Sequence, residues 1–327
     1  MPNPSVKPQL AKASSAASIV LGALAVAALP LGTNTARAED APSRVHALVN
    51  FEFANEYVTP RGMIVRDQGV TIQPLLLGFV NVYHGDSFIN SVTLIPGVWN
   101  DLGTKSLPIH NTSAKPTTPW SEIDPIAGIE IGLAKHFTLD VTYTAFVEQI
   151  LDIGTSQHLD TKLSYDDSAS LGWDGFGFHP YVEFWQELDN KATAADVPYL
   201  VDPLNKHLGT GPGSSFYFQV GVDPTYTFKN VLGGLKLEAP VDVLLPDKNF
   251  YGEYYSSAST VGLFAAGLKG TVPMNFMPQG YGHWSFHAGF KYMYFVDDNL
   301  YQMQTFNDPG KPTRDTWQVF AGVSVFF

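Results

Sequence analysis

The sequence predicts an all-β transmembrane protein, an antiparallel up-and-down barrel of about twelve strands, from three observations. From Trp317 to Phe327 the chain alternates with a period of two. Trp317, Val319, Ala321, Val323, Val325 and Phe327 form one apolar stripe, and Gln318, Gly322 and Ser324 share the other side with Phe320 and Phe326. Such a strand has one face in an apolar medium, and it runs to the chain end. At the opposite end, Lys7 and Lys12 precede an apolar stretch from Ile19 to Leu31, and Ala36-Arg37-Ala38 supplies a small-residue cleavage pattern. Beyond it no run approaches the roughly 20 apolar residues of a spanning helix. The longest, Leu75 to Val80, is strand length. An exported chain without a spanning helix can cross a membrane only as a closed barrel. Residues 1–38 therefore read as a signal peptide and 39–327 as one barrel, with no second domain and no fixed-period repeat.

Period-two segments fall near 45–58, 69–83, 90–101, 122–134, 137–150, 158–166, 178–187, 214–228, 233–245, 257–269, 283–296 and 316–327. The pattern is plain in Phe137, Leu139, Val141, Tyr143, Ala145 and Val147, which alternate with Thr138, Asp140, Thr142, Thr144 and Glu148. It is equally plain in Trp284, Phe286, Ala288, Phe290, Tyr292 and Tyr294, which alternate with Ser285, His287, Gly289 and Lys291. An even number of strands suits a single-chain bacterial barrel. Long connectors at 59–68, 102–121, 151–157, 188–213, 246–256 and 297–315 alternate with tight turns such as Ala134-Lys135-His136 and Lys229 to Leu232. Long outer loops and short periplasmic turns follow from the barrel. Stretches 167–177 and 270–282 are long for periplasmic turns, which leaves ten or fourteen strands open. Tyr57, Tyr83, Trp99, Phe137, Trp173, Phe178, Tyr254 and Tyr255 stand near strand ends, where aromatic girdles belong.

Composition excludes several functions. Cysteine is absent, so there is no disulfide and no thiolate metal site. The chain has 19 Lys and Arg against 31 Asp and Glu. Loss of Lys7, Lys12 and Arg37 with the signal makes the mature protein more acidic still. That balance argues against nucleic acid as a partner and against an anion-selective pore. The 45% hydrophobic content is compatible with a barrel wall that alternates lipid-facing and lumen-facing residues.

Two segments carry a family resemblance. The terminal strand, through Trp317, Val319, Val323, Val325 and Phe327, resembles the C-terminal assembly signal of Gram-negative outer-membrane proteins. The resemblance implies an outer-membrane location, the barrel-assembly machinery as a partner in biogenesis, and outer-membrane lipid as surroundings. Asn55-Glu56-Tyr57-Val58-Thr59-Pro60-Arg61-Gly62, followed by Thr71-Ile72-Gln73-Pro74, resembles the first hairpin of TorF-type porins. In that family a strand ends in Tyr, a hydrophobic residue precedes Arg-Gly and a Gln lies early in the next strand. Here Pro60 stands where an aromatic is usual. This second match covers about 20–30 residues and implies an outer-membrane channel without naming a solute.

The sign of the inward-facing charges bears most on function. Strand parity sends Glu52, Glu56, Glu122, Asp124, Glu130, Asp140, Glu148, Asp160, Glu183, Glu187, Asp223, Glu238 and Asp242 to the lumen, against Lys162, Lys236 and Lys291. An acidic lumen in a low-dielectric wall attracts cations, less so as salt rises. Alternatively these groups pair and brace a filled interior. Small barrels are filled and those of 16–18 strands are open, with twelve between.

Enzymatic signals are weak. His283-Trp284-Ser285 has the His-x-Ser spacing of outer-membrane phospholipases, but Phe286-His287 follows, and Trp284 and Phe286 claim the lipid face. His283 and His287 read as lumen-facing polar packing. Residues four apart on a strand are about 13 Å apart, too far for a joint metal site. Leu208 to Ser215 is Gly-rich, but no P-loop Lys follows it, and Lys115 to Trp120 reads as an exposed loop. The sequence thus predicts a porin-like diffusion channel for small solutes, cation-preferring, without catalysis or cofactor; a homo-oligomer is compatible with it. The alternatives are a non-conducting structural or surface-interaction barrel and, last, a lipid hydrolase.

Overall fold

A computed structural model describes residues 44–105, 119–149, 155–189, 215–252, 256–304 and 313–327. The expected signal peptide, Tyr254, Tyr255 and most of the Gly-rich and Pro-rich loops lie outside the described residues, as does the side chain of Glu148.

The strands run in chain order. They are β1 (Val45–Ala54), β2 (Tyr57–Val58), β3 (Ile64–Arg66), β4 (Thr71–His84), β5 (Ile89–Gly103) and β6 (Trp120–Leu133). Then come β7 (Phe137–Glu148), β8 (Ser156–Tyr165), β9 (Phe176–Gly177), β10 (Tyr181–Asp189), β11 (Phe216–Val222) and β12 (Thr225–Phe228). The last are β13 (Leu235–Glu238), β14 (Val241–Pro246), β15 (Leu263–Pro273), β16 (His283–Phe295) and β17 (Asp315–Phe326). Helix α1 is Ser168–Leu171 and α2 is Asp298–Met303. All wall pairings are antiparallel between sequence neighbours, and β1 pairs β17, closing a barrel of twelve wall strands. β11 with β12, and β13 with β14, are halves of single wall strands broken at Pro224 and Pro240, where the N–H needed for the ladder is missing.

The outer face carries Phe51, Phe53, Leu76, Val82, Leu94, Val220, Phe286 and Val319, all exposed. Among the described residues no helix is long and apolar enough to cross a membrane. The closed wall presents this apolar belt outward, the face that a transmembrane barrel turns to lipid. At the seam, Phe327 N–H donates to the Ala47 carbonyl at 2.9 Å, and His46 stacks on Phe326 with ring centroids 5.4 Å apart. Ala134 and Lys135 take φ of 48° and 71°, which lets three residues join β6 to β7. The two long connectors cost no strands. The first holds α1 and β9, and the second is shortened because β15 runs on to Pro273.

Two girdle expectations are corrected. Tyr83, Phe137, Trp173 and Phe178 are exposed, but Tyr57 is buried inside the barrel. Trp99 also faces inward and lies 5.2 Å from the Tyr57 ring. Strand parity explains Trp99: its neighbours Val98 and Asn100 take the outer face.

Candidate conduit and its plug

The first loop does not lie over the mouth as a loop; it folds into the barrel. β2 pairs β3, and the turn between them is Thr59-Pro60-Arg61-Gly62. Gly62 N–H donates to the Thr59 carbonyl at 3.0 Å, and Thr59 N–H to the Met63 carbonyl at 2.8 Å. Pro60 presets the backbone of the turn, and Gly62, at φ 88°, supplies the left-handed position of the bulge. A Cβ on Gly62 would meet Leu263 Cδ2 at 2.8 Å, so the tip also needs the space.

Two more segments complete the plug. Asp297 caps α2 by accepting from Asn299 N–H and Leu300 N–H at 2.7 and 3.2 Å. Just past α2, Gln304 accepts from Ile64 N–H at 3.1 Å and donates to the Gly62 carbonyl at 2.6 Å, which clamps the hairpin at its tip and at the start of β3. Tyr251 donates its hydroxyl to the Arg61 carbonyl at 2.7 Å. Val58, Met63, Ile64, Phe250, Tyr251 and Leu300 then pack with the inward wall residues Phe146, Trp185, Tyr217, Leu244, Leu263, Met293 and Phe295 as one buried cluster. Phe250, Leu300 and Val58 have no solvent exposure. The long-loop half of the interior is thus packed like an ordinary protein core.

On the other flank the plug is latched by polar contacts. Arg66 reaches Asp101 at 3.2 Å and Ser121 at 3.0 Å, and donates to the Lys105 carbonyl. Asp101 also accepts from Thr71, Ser121 and, at 3.4 Å, Gln73. Tyr57 donates to Glu122 at 2.6 Å and Thr316 to Glu56 at 3.3 Å. Tyr57, Arg61-Gly62 and Gln73, the residues of the hairpin resemblance, all belong to this plug and its anchor.

Toward the short-turn end the interior changes character. One side is apolar, with Leu48, Leu75, Leu77, Phe79, Ile95 and Ile126. The opposite side carries the predicted charges. Glu130 stands across from Asp140, Asp140 across from Lys162, and Lys162 across from Glu183. Glu52, Asp140, Asp160, Glu183, Glu238 and Asp242 are all buried inside. Asp223 faces inward on its wall strand, one side-chain row from buried Thr225. Lys162 lies over the Tyr181 ring, 4.1 Å from its centroid, instead of pairing with either acid. Among the described residues Asp140, Asp160 and Asp223 each keep a buried carboxylate oxygen with no hydrogen-bond partner. Glu238 Oε2 also lacks a hydrogen bond, but this carboxylate is ion-paired, with Lys236 3.0 Å and Lys269 3.4 Å away. Lys269 is thus a further inward lysine beside the three that strand parity gave; it stands at the end of the segment expected at 257–269, whereas β15 continues to Pro273.

His287 is buried with its Nε2 3.5 Å from Glu52. One trio of possible metal ligands, Asp166, Asp167 and His179, gathers at the short-turn end. Asp167 accepts the Phe178 and His179 N–H groups at 2.9 and 3.0 Å, and Asp166 accepts that of Ser168 at 3.0 Å. Partial burial pushes the Asp166 carboxyl up, but the Ser168 bonds outweigh it and hold the group below its ordinary value. These acids fasten a turn.

No protein-family profile matches the chain, and no curated protein matches it in sequence. Among solved structures it is similar to the COG4313 outer membrane channel from Pseudomonas putida F1, with 10% identity over 90% of this chain and 100% of that one, at a TM-score of 0.48. It is also similar to the NanC porin, with 10% identity over 85% and 98% of the two chains, TM-score 0.40. Outer membrane phospholipase A from Escherichia coli follows at 13% identity over 88% and 94%, TM-score 0.38.

Proposed function

We propose that this barrel is an outer-membrane channel for small solutes, that it prefers cations, and that folded-in outer loops restrict its mouth. The observation that carries the reading is the row of buried, incompletely partnered carboxylates, Asp140, Asp160 and Asp223, on one side of the lumen. The nearby cation Lys162 stacks on Tyr181, forms no ion pair with them and offsets their field only in part. In a low-dielectric wall that field favours cation entry and weakens with salt. The loop asymmetry supports placing the plugged end outside the cell and the acidic end toward the periplasm.

A non-conducting barrel is the second reading, and the dry cluster around Leu300 and Phe250 favours it. The hydrolase reading has little support. His287 is buried in the wall against Glu52 while Trp284 and Phe286 take the outer face, so Ser285 has no access to lipid. A reversal potential across a bilayer under a salt gradient tests the proposal. Cation preference is expected, declining as the Debye length falls from about 30 Å at 0.01 M to about 3 Å at 1 M salt. Anion preference would refute it, and absence of conductance would favour the second reading.

A further inference from the structure

Two arginines of the plug are buried, and they are held differently. Arg66 has a carboxylate, a hydroxyl and a carbonyl. Arg61, at 2% exposure, has no carboxylate in ion-pairing reach among the described residues. Its guanidinium lies over Phe146 at 4.7 Å and Trp185 at 5.8 Å from the ring centroids, and its Nε has no partner.

The remaining polar neighbour is His158, with Nε2 at 3.3 Å from Arg61 Nη1. That contact gives the guanidinium nothing. The indole N–H of Trp185, a donor only, points at His158 Nδ1 at 3.1 Å, so Nδ1 accepts. The proton of the neutral ring is then on Nε2, which donates to Ser156 Oγ at 2.6 Å. Arg61 Nη1 therefore meets another donor. Among the described residues the close contacts of the guanidinium are then the two aromatic faces, with Glu122 adding attraction through space, and these are forces that any flat delocalised cation could use.

Carboxylates continue from this recess. Asp160 stands across from Trp185, and Asp140 and Glu183 lie one row toward the short-turn end. The trio that brings ligand oxygens and nitrogens within 4.8 Å of one another lies elsewhere, at Asp166, Asp167 and His179. Among the described residues the lumen acids form no such close group and follow one another along the wall.

We infer that the recess of Phe146, Trp185 and His158 is a binding site for guanidinium-type organic cations, with Arg61 as its tethered occupant. A solute cation displaces Arg61, stacks between the rings and passes to Asp160. The inference rests on the cation-channel reading, and the test separates the two. Block of single-channel current by ethylguanidinium is measured in the full-length folded barrel, in Arg61→Ala, and in Arg61→Ala with Trp185→Leu. Emptying the recess should lower the half-blocking concentration about tenfold, and removing Trp185 should abolish that gain. Equal block in all three proteins overturns the site. Anion preference with the tenfold gain intact refutes the channel's charge argument and leaves the site standing. If none conducts, the channel reading fails and the site is read from the temperature at which the folded, fast-migrating form is lost. Stabilisation of Arg61→Ala by ethylguanidinium, absent in the double variant, supports the site; no stabilisation overturns it. Should Arg61→Ala not fold, Arg61→Gln takes its place in the same comparison.

Discussion

The long-loop half of this interior is packed around a dry apolar cluster and an arginine-carboxylate latch, whereas the short-turn half keeps acids whose buried oxygens have no hydrogen-bond partner. In the first, Leu300, Phe250, Val58 and Met63 fill the space between wall residues, and Arg66 saturates Asp101. In the second, Asp140 and Asp160 retain unpartnered oxygens beside a lysine that stacks on Tyr181. Burying a carboxylate without a partner is costly unless water or a mobile ion supplies the missing contact. In the proposed channel the two halves then serve different ends: the filled half is the closure, and the charged half is the surface for the passing cation. Glu238, bridged by Lys236 and Lys269, shows how the same wall treats a carboxylate that is purely structural.

The comparison can be broken most forcefully at the latch. Arg66→Met leaves Asp101 buried without its cation, a change worth about 3–5 kcal/mol. It should release the hairpin, seen as new proteolytic cleavage within 55–70 while the barrel still resists SDS at room temperature. Unchanged protection would mean that the latch does not hold the plug. Leu300→Ala removes a fully buried side chain and should weaken closure by about 2–5 kcal/mol. Faster hydrogen exchange at Ile64, whose N–H is bonded to Gln304, is the readout. Gly62→Ala forces a Cβ into the left-handed turn and against Leu263, and should cost about 1–3 kcal/mol with the same exchange signature.

The smallest expected effect sharpens the other half of the comparison. Asp140→Asn should reduce cation preference measurably, since that carboxylate has no ion pair and keeps a buried oxygen without a hydrogen-bond partner. Glu238→Gln should change it little, because Lys236 and Lys269 already neutralise the group. A larger effect from Glu238 than from Asp140 would invert the account of which charges face the conducting space.

Much of the wall was legible in the sequence because a barrel strand states its environment every second residue. Phe137 to Val147 and Trp284 to Tyr294 gave their faces directly, and the inward acids followed from parity. The plug was not legible for the same reason. Tyr57 and Val58 continue the alternation of β1, so the strand was extended to residue 58 although it ends at Ala54. Helix α2 has only six residues, too few to display a helical period. The available signal was Thr59-Pro60-Arg61-Gly62, a turn sequence unsuited to a strand end, with a buried arginine on either side of Met63. The tethered Arg61 was beyond reach, since Phe146, His158 and Trp185 come from three neighbouring wall strands that Arg61 meets only because the hairpin folds into the barrel.

If the folded-in hairpin occludes a cation-preferring lumen, removing the hairpin should open it. Ala54 and Thr71 stand opposite each other on β1 and β4, so residues 55–70 can be replaced by an Asn-Gly turn without disturbing the wall. Single-channel recording of this deletion beside the intact protein should show a several-fold larger conductance with cation preference retained. Identical conductance in the two proteins would contradict the account.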